Sequence, residues 1–151
     1  MNKFVPLISS RSTGRLGIVH LPRLWQKMLL ASKDRLNDDY KSGVGGLDGW
    51  LLDTLGLEYE ATAAFFAKAA PTYLDFEAWI KQNAPAEKLT SEAIHTFNQE
   101  VLAFHKPEPE RNVMLERAGL PVDDTIWPAV DLNDQDDWVG FHQEIVQDNQ
   151  N

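Results

Sequence analysis

Cysteine is absent from the 151 residues. That removes disulfides, thiol nucleophiles, zinc–thiolate sites and iron–sulfur clusters together, and it fits a reducing compartment. Long apolar runs are missing too. Residues 1–8 offer Phe4, Val5, Leu7 and Ile8, broken by Pro6, which is too little for a secretory h-region. No stretch approaches the roughly 20 apolar residues of a membrane span. The chain reads as cytoplasmic, with no membrane partner. Phosphate-loop, nucleophile-elbow and zinc-helix signatures are also missing. Basic residues are scarce after residue 35, and residues 123–148 contain none while holding Asp123, Asp124, Asp131, Asp134, Asp136, Asp137, Glu144 and Asp148.

What is present is a globular composition. Hydrophobic residues make up 43% and charged residues 25%, with five Trp, seven Phe and three Tyr for a core, so a single domain of this length needs no metal or cofactor to fold. The net charge of −9 repels nucleic acid and anionic membranes at long range. The charge is uneven. Residues 1–35 carry Lys3, Arg11, Arg15, Arg23, Lys27, Lys33 and Arg35 against Asp34 alone. This basic stretch either folds back onto acidic surface of its own chain or builds a pocket for an anion.

The hydrophobic pattern predicts an all-α domain of six to seven helices covering residues 1–151, with an irregular basic segment over 1–19 packed on or near the core. Leu21, Leu24, Trp25, Met28, Leu29 and Leu36 recur at helical spacing behind Pro22, predicting a helix over 22–37. Leu47 to Leu55 predicts a second, stopped by Gly56 as a left-handed cap. Helices follow over 60–69, 73–82 (with Thr72 and Asp75 as a capping box), from Thr90 or Ser91 through the seam Ile94, Phe97, Val101 and Phe104, and over 109–118 ending at Gly119. Residues 122–132, with Ile126, Trp127, Val130 and Leu132, are expected to lie extended across the core. A last helix begins near Asn133 or Asp134, with Asp136 and Asp137 in its first turn and Trp138, Phe141 and Ile145 as its apolar face. No alternating pattern is strong enough for a sheet.

The densest polar cluster is Arg11, Arg15, His20, Arg23 and Lys27, set among Gly14, Gly17 and Pro22. Guanidinium groups grip carboxylates or phosphates bidentately. The cluster is thus either an anion clamp or a set of struts pairing with Asp48, Asp53 or the acidic tail. The loop Ser42-Gly43-Val44-Gly45-Gly46 precedes a helix start, but no Lys follows and Asp48 sits where a phosphate would. His20, His95, His105 and His142 share no helical face suited to a metal, so no metal is expected.

The segment Leu16-Gly17-Ile18-Val19-His20-Leu21-Pro22-Arg23 resembles an uncharacterised bacterial family, the domain of unknown function DUF5069. The likeness rests on Leu21-Pro22-Arg23, Lys27, Tyr40, Leu47-Asp48 and Leu55-Gly56, with Trp79, Asn98 and Asp137-Trp138…Phe141-His142 further on. Gln26 stands where the family tends to have Asp, and the glycine loop replaces a stretch that often holds Cys. The resemblance supplies positions and no chemistry.

Two readings follow. One is a binding or protein-interaction module, resting on the missing catalytic signatures, the acidic surface and aromatic residues left outside the core. The other is a small-ligand binder or enzyme for an anionic substrate, with Arg11, Arg15 and Arg23 on the anion, Lys27 adding charge, and His20 or Asp48 moving a proton. Tyr40 joins this candidate set through the resemblance. The second reading requires these side chains to line one concave pocket.

Overall fold

The computed structural model describes residues 2–148, apart from the side chain of Asp148. Seven helices run in chain order: α1 Leu21–Ser32, α2 Gly46–Leu55, α3 Tyr59–Ala69, α4 Tyr73–Asn83, α5 Ser91–Ala103, α6 Glu108–Ala118 and α7 Ala129–Asp148. A 3-10 turn, Ala86–Lys88, precedes α5. No strand occurs among the described residues; Phe4 and Leu36 form one isolated parallel bridge, through Phe4 N–H to the Arg35 carbonyl at 2.7 Å and Asn37 N–H to the Phe4 carbonyl at 2.9 Å. The fold class is all-α. Among the described residues, no helix is long and apolar enough to cross a membrane.

Local chemistry explains most helix ends. The Thr72 hydroxyl accepts from Asp75 N–H at 3.1 Å while the Asp75 carboxylate accepts from Thr72 N–H at 3.2 Å, completing the capping box. Thr90 caps α5 through Ala93 N–H. Gly56 and Gly119 close α2 and α6 in the left-handed conformation. α1 stops five residues before the predicted end. Asp34 turns left-handed (φ 53) and Arg35 N–H reaches back to the Leu30 carbonyl at 2.8 Å, which frees Leu36 to meet Phe4 instead of extending the helix.

The apolar core joins α1 to α5. Leu24, Leu51, Phe66, Phe76 and Ile80 are at most 1% exposed. Phe65 stacks on Trp79 at 4.9 Å, Phe66 meets Phe76 edge-on at 4.9 Å, and Trp50 takes Phe97 and Phe104 on its edges.

The last third departs from the sequence expectation. Residues 121–128 cross no core, and Ile126 is 75% exposed. α7 starts at Ala129, so Asp136 and Asp137 lie well inside the helix, with only Asp131 in its first turn. Its buried residues are Ala129, Val130, Leu132 and Asp137, whereas Trp138, Phe141 and Ile145 point outward at 57%, 44% and 47% exposure. The cause is the N-terminal segment, which runs along α7. Arg11 grips Asp131, Ser9 donates to Asp134 at 3.0 Å, and the Val5 side chain would stand 3.3 Å from a Cβ at Gly140. A side chain at Gly140 would crowd Val5, so glycine eases the close approach there.

Candidate functional site

The helix starts of α1 and α2 and the middle of α7 converge on a cleft of about 330 Å³. His20 immediately precedes α1 with φ 72, a conformation uncommon outside glycine and held only where contacts over-determine it. Those contacts are explicit. The ring is 2% exposed, its Nε2 lies 2.6 Å from Asp48 Oδ1 and its Nδ1 lies 2.9 Å from the Ser10 hydroxyl. With Asp48 ionised, Nε2–H donates to it and Nδ1 accepts from Ser10; the network assigns this tautomer. Burial holds the His20 imidazole below its ordinary pKa, with Lys27 and Arg23 adding to the effect against the pull of Asp48.

Asp48 is 3% exposed and its second oxygen accepts from Lys27 Nζ at 2.8 Å and Gly43 N–H at 2.9 Å. Burial raises its pKa, but His20 and Lys27 outweigh burial and keep the carboxyl well below the usual range. The carboxylate thus folds back onto the glycine loop, and no side chain caps α2.

The second buried pair is Arg23–Asp137. Arg23 donates to both Asp137 oxygens at 2.5 and 3.0 Å and to the carbonyls of Pro6 and Ile8 at 3.2 and 3.1 Å. Tyr40 donates to Asp137 Oδ1 at 2.9 Å, and its hydroxyl is pushed up by burial and by that carboxylate. Burial lifts the Asp137 carboxyl while Arg23 and Tyr40 pull against it. Arg117 holds Asp136 through Oδ1 alone at 2.6 Å.

Of the residues the sequence nominated, His20, Arg23, Lys27, Tyr40 and Asp48 line this cleft. Arg11 and Arg15 do not. Arg11 makes a bidentate pair with Asp131 at 2.7 and 2.9 Å, and Arg15 faces solvent. The turn over Gly14–Gly17 carries Arg15 away, pinned by Asn98, which accepts from Val19 N–H at 3.0 Å and donates to the Gly17 carbonyl at 2.7 Å, while Arg11 sits in the preceding turn closed by Ser12 N–H to the Ser9 carbonyl. The Arg11 and Arg23 pairs are struts tying the basic start of the chain to the acidic α7. His95, His105 and His142 are exposed, and no group of metal-ligating side chains gathers among the described residues.

With the cleft's geometry in place, a family model described as Domain of unknown function (DUF5069) matches residues 7–139. The chain belongs to the DUF5069 family. No curated protein and no solved structure matches it significantly. In this DUF5069 member the matched region spans all of the cleft's lining. Gln26, at the position where the resemblance expects Asp, accepts from Ile8 N–H at 3.0 Å, so here it is a backbone anchor.

Sequence reasoning missed four polar residues. Ser10 was legible only as a turn former. Asp137 lay in the closing motif but read as a cap. Arg117 and Lys106 gave no signal, since each meets the cleft only through the packing of α6 and α7. Lys106 is the one that differs chemically. It lines the cleft, is half-buried, and makes no ion pair with any described residue. Burial lowers its pKa, and Lys27 and Arg23 lower it further against Glu110 and Asp136, which raise it.

Proposed function

We propose that this protein binds a small anion, of carboxylate or phosphate type, in the cleft between α1, α2 and α7. The observation that carries the reading is Lys106. The lining holds five cations (Arg23, Lys27, Lys41, Lys106 and Arg117) and four carboxylates (Asp39, Asp48, Asp136 and Asp137). Arg23, Lys27 and Arg117 already face carboxylates, which leaves Lys106 as the half-buried ammonium without one. A charge out of water without a counterion is costly, and an anion supplied from solution relieves that cost. The volume is at the small end of ligand sites, which limits the ligand to a few heavy atoms beyond its charged group. Ser10, His20 and Asp48 fix the wall of the cleft. Ser10 is 0% exposed, so its hydroxyl is an orienting group and not a nucleophile.

The test is thermal stabilisation by oxalate and by inorganic phosphate. Stabilisation of the natural protein, with Lys106→Gln weakening the apparent affinity at least tenfold and leaving the unliganded melting temperature nearly unchanged, supports the reading. No stabilisation by either anion, or an unaffected Lys106→Gln variant, rejects it.

A second reading, self-association, has one observation in its favour. Trp138, Phe141 and Ile145 lie at i, i+3 and i+7 on the outer face of α7 beside Phe4 and Leu7, all exposed. Three carboxylates of that helix are turned into pairs within the chain, Asp131 with Arg11, Asp136 with Arg117 and Asp137 with Arg23. Sedimentation equilibrium that shows a dimer dispersed by Trp138→Ser supports this reading, and a monomer at all concentrations removes it.

A further inference from the structure

We propose that Lys106 is an imine-forming lysine, and that the ligand of the cleft is a small oxo acid whose carbonyl carbon meets the Lys106 amine. This rests on the anion-binding reading above and adds a covalent step to it. The argument starts with how the amine is presented. Lys106 lies in the four-residue connector between α5 and α6, and that connector is clamped on both sides. The Phe104 carbonyl accepts from Ala129 N–H at 2.8 Å, the Phe104 ring meets Trp50 edge-on at 5.7 Å, and the His105 ring donates through Nδ1 to the Trp127 carbonyl at 3.0 Å. Pro107 then fixes the start of α6. The side chain therefore leaves a held backbone and enters a cleft where Arg23, Lys27 and Arg117 are already engaged by carboxylates.

A nucleophilic amine reacts through its neutral form, and desolvation beside other cations raises the share of that form. Both elements surround Lys106. Arg23 and Lys27 of α1 line the same cleft and favour the neutral amine, while Glu110 on α6 and Asp136 on α7 favour the charged one without forming an ion pair with it. Lys3 shows the contrast, held in ion pairs by Asp34 and Asp38 at 3.6 and 2.6 Å. In the step proposed, the amine lone pair forms the C–N bond as the carbonyl π pair moves to oxygen. The two amine hydrogens end on that oxygen, which departs as water, leaving C=N. Water in the open cleft relays these protons, with Asp136 among the lining carboxylates that can accept one. The ligand's carboxylate is left to Lys27, whose ammonium gives Asp48 only one of its three N–H bonds.

The experiment treats the full chain with glyoxylate and sodium cyanoborohydride and maps the reduced adduct by peptide mass spectrometry, with oxalate binding measured in parallel. The expected result is an adduct at Lys106 forming at least tenfold faster than at the exposed Lys33 and Lys68, slowed by excess oxalate. Lys106→Arg should keep oxalate binding and lose the adduct. Oxalate binding with no preference for Lys106 in the trapping overturns the imine and leaves the anion site standing. Absence of both oxalate binding and selective trapping overturns both readings.

Discussion

Phe76 and Arg23 are almost equally hidden, at 0% and 4% exposure, yet they are held by opposite physics. Around Phe76 the neighbours are rings and aliphatic chains from α3 and α4, and burying them is favourable in itself. Around Arg23 the neighbours are a carboxylate, two carbonyls and a tyrosine hydroxyl, and each had to leave water to get there. A buried ion pair of this kind is often no better for stability than apolar residues of the same shape. The aromatic half of the molecule therefore accounts for why the chain folds. The charged half, built from the N-terminal segment, α1, the start of α2 and α7, spends stability to hold polar groups in fixed places around a cleft.

The sharpest way to break this contrast is to cut both halves. Arg23→Met should cost about 3–5 kcal/mol in urea unfolding, because it strands the Asp137 charge. Phe76→Ala should cost a similar 3–5 kcal/mol by leaving a cavity. The two differ in rescue. Adding Asp137→Leu to Arg23→Met should restore at least half of the loss, the remainder reflecting the carbonyls of Pro6 and Ile8. A double variant as unstable as the single one would show that the pair is not what holds the charged half.

The same division governs what could be read from the sequence. Helices α2 to α6 follow from periodicity, caps and glycine stops, because those signals lie within a few residues of each other. Thr72 with Asp75 and Leu55 with Gly56 are local facts. The charged half is made of contacts spanning 28 residues for His20–Asp48, 114 for Arg23–Asp137 and 120 for Arg11–Asp131. The charge asymmetry indicated that bases would meet acids but not which, and Arg11, Arg15 and Arg23 could not be told apart. The outward turn of Trp138, Phe141 and Ile145 was hidden for the same reason: an apolar stripe shows its spacing but not whether the chain's own start already occupies the opposite face of the helix.

Gly43 links the halves more gently. Its φ is +76, and a Cβ there would stand 2.7 Å from the Tyr59 ring. Gly43→Ala should destabilise by about 2 kcal/mol through left-handed strain and crowding, and should loosen Asp48, whose Oδ2 accepts from this amide. An unchanged urea midpoint would show that the loop does not brace the cleft.

Acid should reach the charged half first. The folded pKa of His20 lies below that of the unfolded chain, so below about pH 6.5 the unfolded state binds the extra proton and stability falls as pH falls. The slope should approach, at most, about 1.4 kcal/mol per pH unit until the folded pKa is reached. His20→Gln should flatten it in urea midpoints taken at intervals between pH 7.5 and 5. A slope in the variant equal to that of the natural protein would assign the effect elsewhere. The smallest effect belongs to Arg11→Ala. Its pair with Asp131 is half in water, and its loss should cost about 0.5–1 kcal/mol without touching oxalate binding.

The central claim concerns one amine, and nitrogen-15 NMR of the lysine side chains observes it directly. The account predicts that the Lys106 ammonium titrates below the ordinary lysine value, and that adding oxalate raises its titration point. A Lys106 signal that titrates at or above the ordinary lysine value and ignores oxalate would contradict it.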